Sequence, residues 1–132
     1  MSRRRRRGED MPREEILAVD AALADGGTVE RSQLAAAVRT VVAHMASNHP
    51  GRLIELRIPP FAAAQLGDGT GGVHTRGTPP NVVEMDAATL LGLASGRLDW
   101  DGARTGGNLR ASGTRSDISG WFPVLADGAA SG

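Results

Sequence analysis

An α+β fold, with helices packed on one face of a mainly antiparallel sheet, is what the order of hydrophobic periodicities predicts. Three observations carry that reading. The chain opens with two segments of helical spacing, continues with apolar residues alternating at period two, and closes with helical segments around one late strand.

The first helix is expected after Pro12, which suits a first helical turn. Glu14 and Glu15 favour the positive end of the helix dipole, and Gly26-Gly27 ends the segment. Its apolar face comprises Ile16, Val19 and Leu23, with Leu17 beside them. A second helix is expected after Thr28 as N-cap, with Leu34, Val38, Val41, Val42 and Met45 at helical spacing. Asn48-His49-Pro50-Gly51 stops it. In the strand that follows, Ile54, Leu56 and Ile58 share one face while Glu55 and Arg57 point away. Pro59-Pro60 ends it, and residues 61–66 form its partner. The Gly-rich run 67–72 reads as a hairpin loop, followed by extended segments at 73–76 and 81–85.

Asp86 is a good N-cap for a helix carrying Leu90, Leu91 and Leu93, closed by Gly96. Leu98-Asp99-Trp100 leads into a shorter helical turn ending at Gly106-Gly107. Residues 108–112 form a last strand with Leu109 and Ala111 on one face. Thr114 or Ser116 is expected to cap a final helix bearing Ile118, Trp121 and Phe122, interrupted by Pro123.

The 132 residues predict one domain with a modest core. Twenty of the apolar residues are Ala, and Leu, Ile, Val and Phe together number 27. So small a share signals disorder mainly when net charge is high. Here 15 Arg balance 15 acids, so the chain should fold. Cys is absent, which excludes disulfides, thiolate chemistry and Cys-based zinc sites. No apolar run approaches the ~20 residues needed to span a bilayer, and Arg3, Arg4, Arg5, Arg6 and Arg7 precede Gly8-Glu9-Asp10 rather than an apolar export segment. A cytoplasmic location is expected. Residues 1–11 carry a net charge of +3 and read as a disordered Arg-rich arm, residues 12–125 as the folded domain, and residues 126–132 as a disordered tail.

The stretch His74-Thr75-Arg76-Gly77-Thr78-Pro79-Pro80-Asn81-Val82-Val83-Glu84-Met85-Asp86 resembles the signature of the bacterial, actinobacterial, sterol-carrier-like family of the sterol carrier protein type 2 superfamily. Arg57-Ile58-Pro59-Pro60-Phe61-Ala62-Ala63 looks like that family's preceding strand. Leu93-Ala94-Ser95-Gly96-Arg97-Leu98 and the run 109–119 fit its later blocks. The resemblance covers about residues 12–125, and its first hairpin loop is longer and richer in Gly than is typical. It implies a sterol-carrier-like fold, a curved sheet covered on one side by helices with an apolar tunnel between them. It also implies non-catalytic binding of a lipid, sterol or other apolar ligand, with no cofactor. Related modules accompany thiol-dependent enzymes with a DinB-type bundle. The alternative is therefore a protein-interaction scaffold or accessory module with no ligand of its own.

Ile58, Phe61, Leu90, Leu91, Trp121 and Phe122 are the candidate tunnel lining, and the same pattern also describes an ordinary core. His74 and Arg76 are head-group candidates, a cation with a group titrating near neutrality beside it. The competing reading pairs Arg76 with Glu84 or Asp117, and the Pro-Pro turn needs local partners in any case. An Arg115–Asp117 or Arg115–Glu84 ion pair is expected near the last turn. His44 and His49 are five apart rather than four, which argues against a metal site. No Gly-x-Ser-x-Gly elbow offers a nucleophile, so no catalytic residue is expected. The Gly-rich run is followed by neither Lys-Ser/Thr nor a helix, which argues against a phosphate cradle. Nucleic acid is disfavoured by the slightly acidic body. The Arg arm offers at most weak, peripheral contact with an anionic membrane.

Overall fold

The computed structural model describes residues 11–68 and 81–125. Four helices and four strands follow in the order α1 (Arg13–Ala24), α2 (Arg31–Asn48), β1 (Ile54–Ile58), β2 (Ala62–Leu66), β3 (Asn81–Met85), α3 (Ala87–Ser95), α4 (Trp100–Thr105) and β4 (Leu109–Ser112). This is the expected α+β arrangement, helices packed on a sheet. The strand order is β2-β1-β3-β4. β1 pairs antiparallel with β2 and parallel with β3, and β3 pairs antiparallel with β4, so the sheet is mixed.

The alternation read from the strands sets the two faces. Ile54, Leu56 and Ile58 of β1 and Val83 and Met85 of β3 are buried, while the residues between them are half-buried. Their buried side meets Val38, Val41, Val42 and Met45 of α2 and Leu90, Leu91 and Leu93 of α3 in one core cluster. α2 packs on β2, α3 packs on α1 and α2, and α4 leans on β4. The opposite face of the sheet carries a charged ladder. Glu55 accepts from Arg57 at 3.1 Å, and Glu84 lies between Arg57 at 4.0 Å and Arg110 at 3.3 Å.

Local chemistry explains both ends of α3 and the start of α4. The Asp86 carboxylate accepts the Thr89 N–H at 2.9 Å and starts α3, and Gly96 ends it at φ 88°, a left-handed conformation that side chains resist. Asp99 caps α4 in the same way through the Gly102 N–H at 3.0 Å.

Three local expectations are corrected. Thr28 does not cap α2. The helix starts after Glu30, whose side chain makes no capping bond. The final helix is only a 3₁₀ turn, Ser119–Trp121, preceded by Ile118 and followed by extended Phe122. There the Asp117 carboxylate takes the Ser119 N–H at 3.0 Å and Ser116 donates to the Gly113 carbonyl, so the capping groups close tight turns and no helix propagates into Pro123. Finally, Glu84 is held by Arg57 and Arg110, Asp117 by Ser119, and exposed Arg115 uses its backbone N–H to bond Asn81. The expected Arg115 ion pairs do not form among the described residues.

Candidate ligand-binding site

The six proposed lining residues separate into four places. Ile58, Leu90 and Leu91 have no exposed surface and lie in the core between sheet and helices. Phe61, Trp121 and Phe122 are half-buried against that core. Phe61 closes the turn after β1, its N–H bonded to the Ile58 carbonyl at 2.8 Å. Trp121 sits at the other end of the β1–β2 hairpin, stacked on His49 with ring centroids 4.1 Å apart and planes 7° from parallel. It also lies against Gly67, which follows Leu66, the partner of Ile54. The four-residue step from Ile54 to Ile58 puts about 13 Å between these two aromatics along the strands. Phe122 instead turns toward Trp100, with ring centroids 6.3 Å apart. His74 and Arg76 lie outside the described residues, as does the arm bearing Arg3, Arg4, Arg5, Arg6 and Arg7.

Phe122 does line a cleft, between the end of α3, the start of α4 and the C-terminal segment. The cleft has a volume of about 380 Å³, within the range of small-molecule sites. Leu93, Leu98, Trp100, Phe122 and Pro123 form the apolar part of its lining, or floor, and Gly96, Asp99, Asp101 and Ser119 the rest. Leu93 is almost wholly buried and follows Leu90 and Leu91 on α3, so the floor is continuous with the core.

Backbone bonds hold these walls together. The Leu98 N–H donates to the Gly92 carbonyl at 2.9 Å, folding the chain back over α3. The Leu125 N–H donates to the Ala94 carbonyl at 2.8 Å, and the Leu125 carbonyl accepts from Arg13 Nε at 2.7 Å. The C-terminal segment is thereby fastened to both α3 and α1. Asp99 is committed to capping α4, whereas exposed Asp101 lies in that helix's first turn, where a negative charge suits the dipole. Sequence reading passed over Leu98, Trp100 and Pro123. The available signal was Trp100 itself, one of only four Phe and Trp residues in the chain and set directly after a capping Asp.

The electrostatic centre of this region is buried Asp20 of α1. Its carboxylate accepts from Arg97 Nη2 at 2.8 Å, from Arg97 Nε at 3.1 and 3.2 Å, and from the Ser95 hydroxyl at 2.9 Å. The bond to Asp20 holds the Arg97 guanidinium above its ordinary pKa; partial desolvation opposes this, and the attraction of opposite charges adds to it. The hydrogen bonds from the backbone and side chain of Ser119 hold the Asp117 carboxyl below the usual carboxylate value.

Two further clefts, of about 510 and 290 Å³, flank β4 around Glu84 and Arg110. Both open onto the charged ladder, and the larger also borders Val82, Leu109 and Ala111. Among the described residues no three His, Asp or Glu side chains are grouped to hold a metal ion. Among them, too, no helix is long and apolar enough to cross a membrane.

The sequence model of a family described as bacterial SCP ortholog matches residues 30–124. The match includes every element from α2 to β4 and leaves α1 outside. No curated protein matches the chain.

Proposed function

The chain belongs to the bacterial sterol-carrier-like family, and we propose that it is a non-catalytic, cytoplasmic carrier of a lipid, sterol or other apolar ligand. The observation that carries this reading is the apolar cleft between α3, α4 and the C-terminal segment, whose floor runs into the core through Leu93. In this proposal the guest enters beside Phe122 and lodges against Leu90 and Leu91. Ile58 on the sheet faces it from across the layer, and Phe61 and Trp121 close the two ends. His74 and Arg76 meet a polar head.

Burial alone would supply the affinity. About 200 Å² of apolar guest surface, at roughly 25 cal/mol per Å², corresponds to about 5 kcal/mol. No reacting group is needed. The test is saturable binding of a fluorescent long-chain acyl probe, competed by unlabelled fatty acid or sterol. Phe122→Ala and Leu98→Glu should weaken it by tenfold or more while circular dichroism stays unchanged. Unsaturable binding, or binding indifferent to both changes, would remove the cleft from the proposal.

One observation favours a second reading, a scaffold or accessory module that serves a protein partner. Ile58, Leu90 and Leu91 are already fully covered by protein atoms. A chain that takes up no acyl probe but co-purifies stoichiometrically with a thiol-dependent enzyme would establish that reading.

A further inference from the structure

The β1–β2 turn is the most exposed apolar point of the hairpin. Pro59 and Pro60 are exposed, and Phe61 is half-buried behind them. Two Arg side chains from α2 converge on the same residue. The Arg31 guanidinium lies 5.2 Å from the centroid of the Phe61 ring, and Arg39 Nε donates to the Phe61 carbonyl at 3.1 Å. Both are exposed, and neither has a carboxylate partner among the described residues. Every guanidinium N–H of Arg31, and all but one of Arg39, are thus left without an acceptor among the described residues.

The sheet's own Arg residues differ. Arg57 and Arg110 are occupied by Glu55 and Glu84, as surface charges usually are. At the turn, protein contacts hold two guanidiniums in place while their remaining donors face water beside an exposed Pro-Pro step. That arrangement suits a surface offering phosphate oxygens above an apolar layer, since guanidinium binds phosphate through paired hydrogen bonds and small apolar groups settle at the head-group boundary.

We propose that the Pro59-Pro60-Phe61 tip, with Arg31 and Arg39, is a docking surface for an anionic lipid bilayer. The nearest acid in sequence is exposed Glu30, which opposes the pair and makes no capping bond that would require it. Attraction of about 1 kcal/mol per basic residue corresponds to about fivefold in affinity for each Arg. The proposal needs no cargo, so it stands or falls apart from the carrier reading.

The test is co-sedimentation of the full chain with vesicles of phosphatidylcholine containing 30% phosphatidylglycerol, against phosphatidylcholine alone. Binding should require the anionic lipid and weaken with added salt. The double variant Arg31→Gln/Arg39→Gln, exposed and therefore expected to fold, should bind about 25-fold more weakly, and Glu30→Gln should bind more tightly. Replacing Arg3, Arg4, Arg5, Arg6 and Arg7 by Gln should leave the dependence on Arg31 and Arg39 in place. Three outcomes would overturn the proposal: no vesicle binding, unchanged binding by the double variant, or binding that vanishes wholly with the arm substitutions.

Discussion

Replacing Arg97 by alanine tests how α1 is fastened to a domain whose family match begins only at residue 30. Asp20 is 4% exposed, and the substitution removes three of the four hydrogen bonds its carboxylate accepts. Only the Ser95 hydroxyl remains. Stripping one partner from a buried ion pair costs about 3–5 kcal/mol. The Arg97 side chain is 38% exposed, however, so water can reach the abandoned carboxylate. The expected loss is accordingly about 2 kcal/mol, or about 8 °C in Tm for a domain of this size. Asp20→Asn should lose only about 1 kcal/mol, because its amide oxygen still accepts from Ser95 and no charge is stranded. The combined variant should then be more stable than Arg97→Ala alone, since it removes the uncompensated charge. Urea denaturation followed by circular dichroism measures all three. An Arg97→Ala protein within 0.5 kcal/mol of the parent, or a combined variant worse than either single one, would refute the reasoning.

Other outcomes follow from the same structure. Leu91→Ala leaves a cavity at a side chain with no exposed surface and should cost about 3 kcal/mol in the same denaturation experiment. Asp86→Ala removes the acceptor of the Thr89 N–H and should cost about 1 kcal/mol, with loss of amide protection confined to the first turn of α3. Asp117 has a carboxyl pKa lowered by folding, so its stabilising effect is present above the unfolded value and is lost as pH falls through the folded one. The stability difference between the parent and Asp117→Asn in urea denaturation should therefore hold steady from pH 7 to about 5 and shrink only at pH values below the ordinary carboxylate range, and a difference that does not shrink there would refute the assignment.

Much of this fold was legible because its signals are local. Ile54, Leu56 and Ile58 alternate with Glu55 and Arg57, and the structure buries the first set. Asp86 and Gly96 bound α3 through bonds and a backbone angle that depend on neighbours only. Interactions across long sequence separations were not legible. Asp20 and Arg97 lie 77 residues apart, and nothing near either one names the other. The parallel pairing of β1 with β3 is equally non-local. The reading of the last turn failed for another reason. Ile118, Trp121 and Phe122 have a spacing compatible with a helix, but the hydrogen bonds of Asp117 and Ser116 to nearby backbone win over helix propagation. The candidate site was half legible. An apolar list found residues of the core and its rim, while the cleft beside Phe122 arises where α3, α4 and the C-terminal segment meet, a juxtaposition that no single stretch of sequence encodes.

Mass spectrometry of an organic extract from gently purified protein tests the carrier proposal most directly, with a folded Leu98→Glu variant beside it. That variant is a sounder control than a charge at fully buried Leu91, because Leu98 is only half-buried at the cleft. The expected result is one apolar compound near one-to-one stoichiometry in the parent and its loss in the variant. An extract that stays empty after incubation with mixed cell lipids would contradict the proposal and leave the scaffold reading in its place.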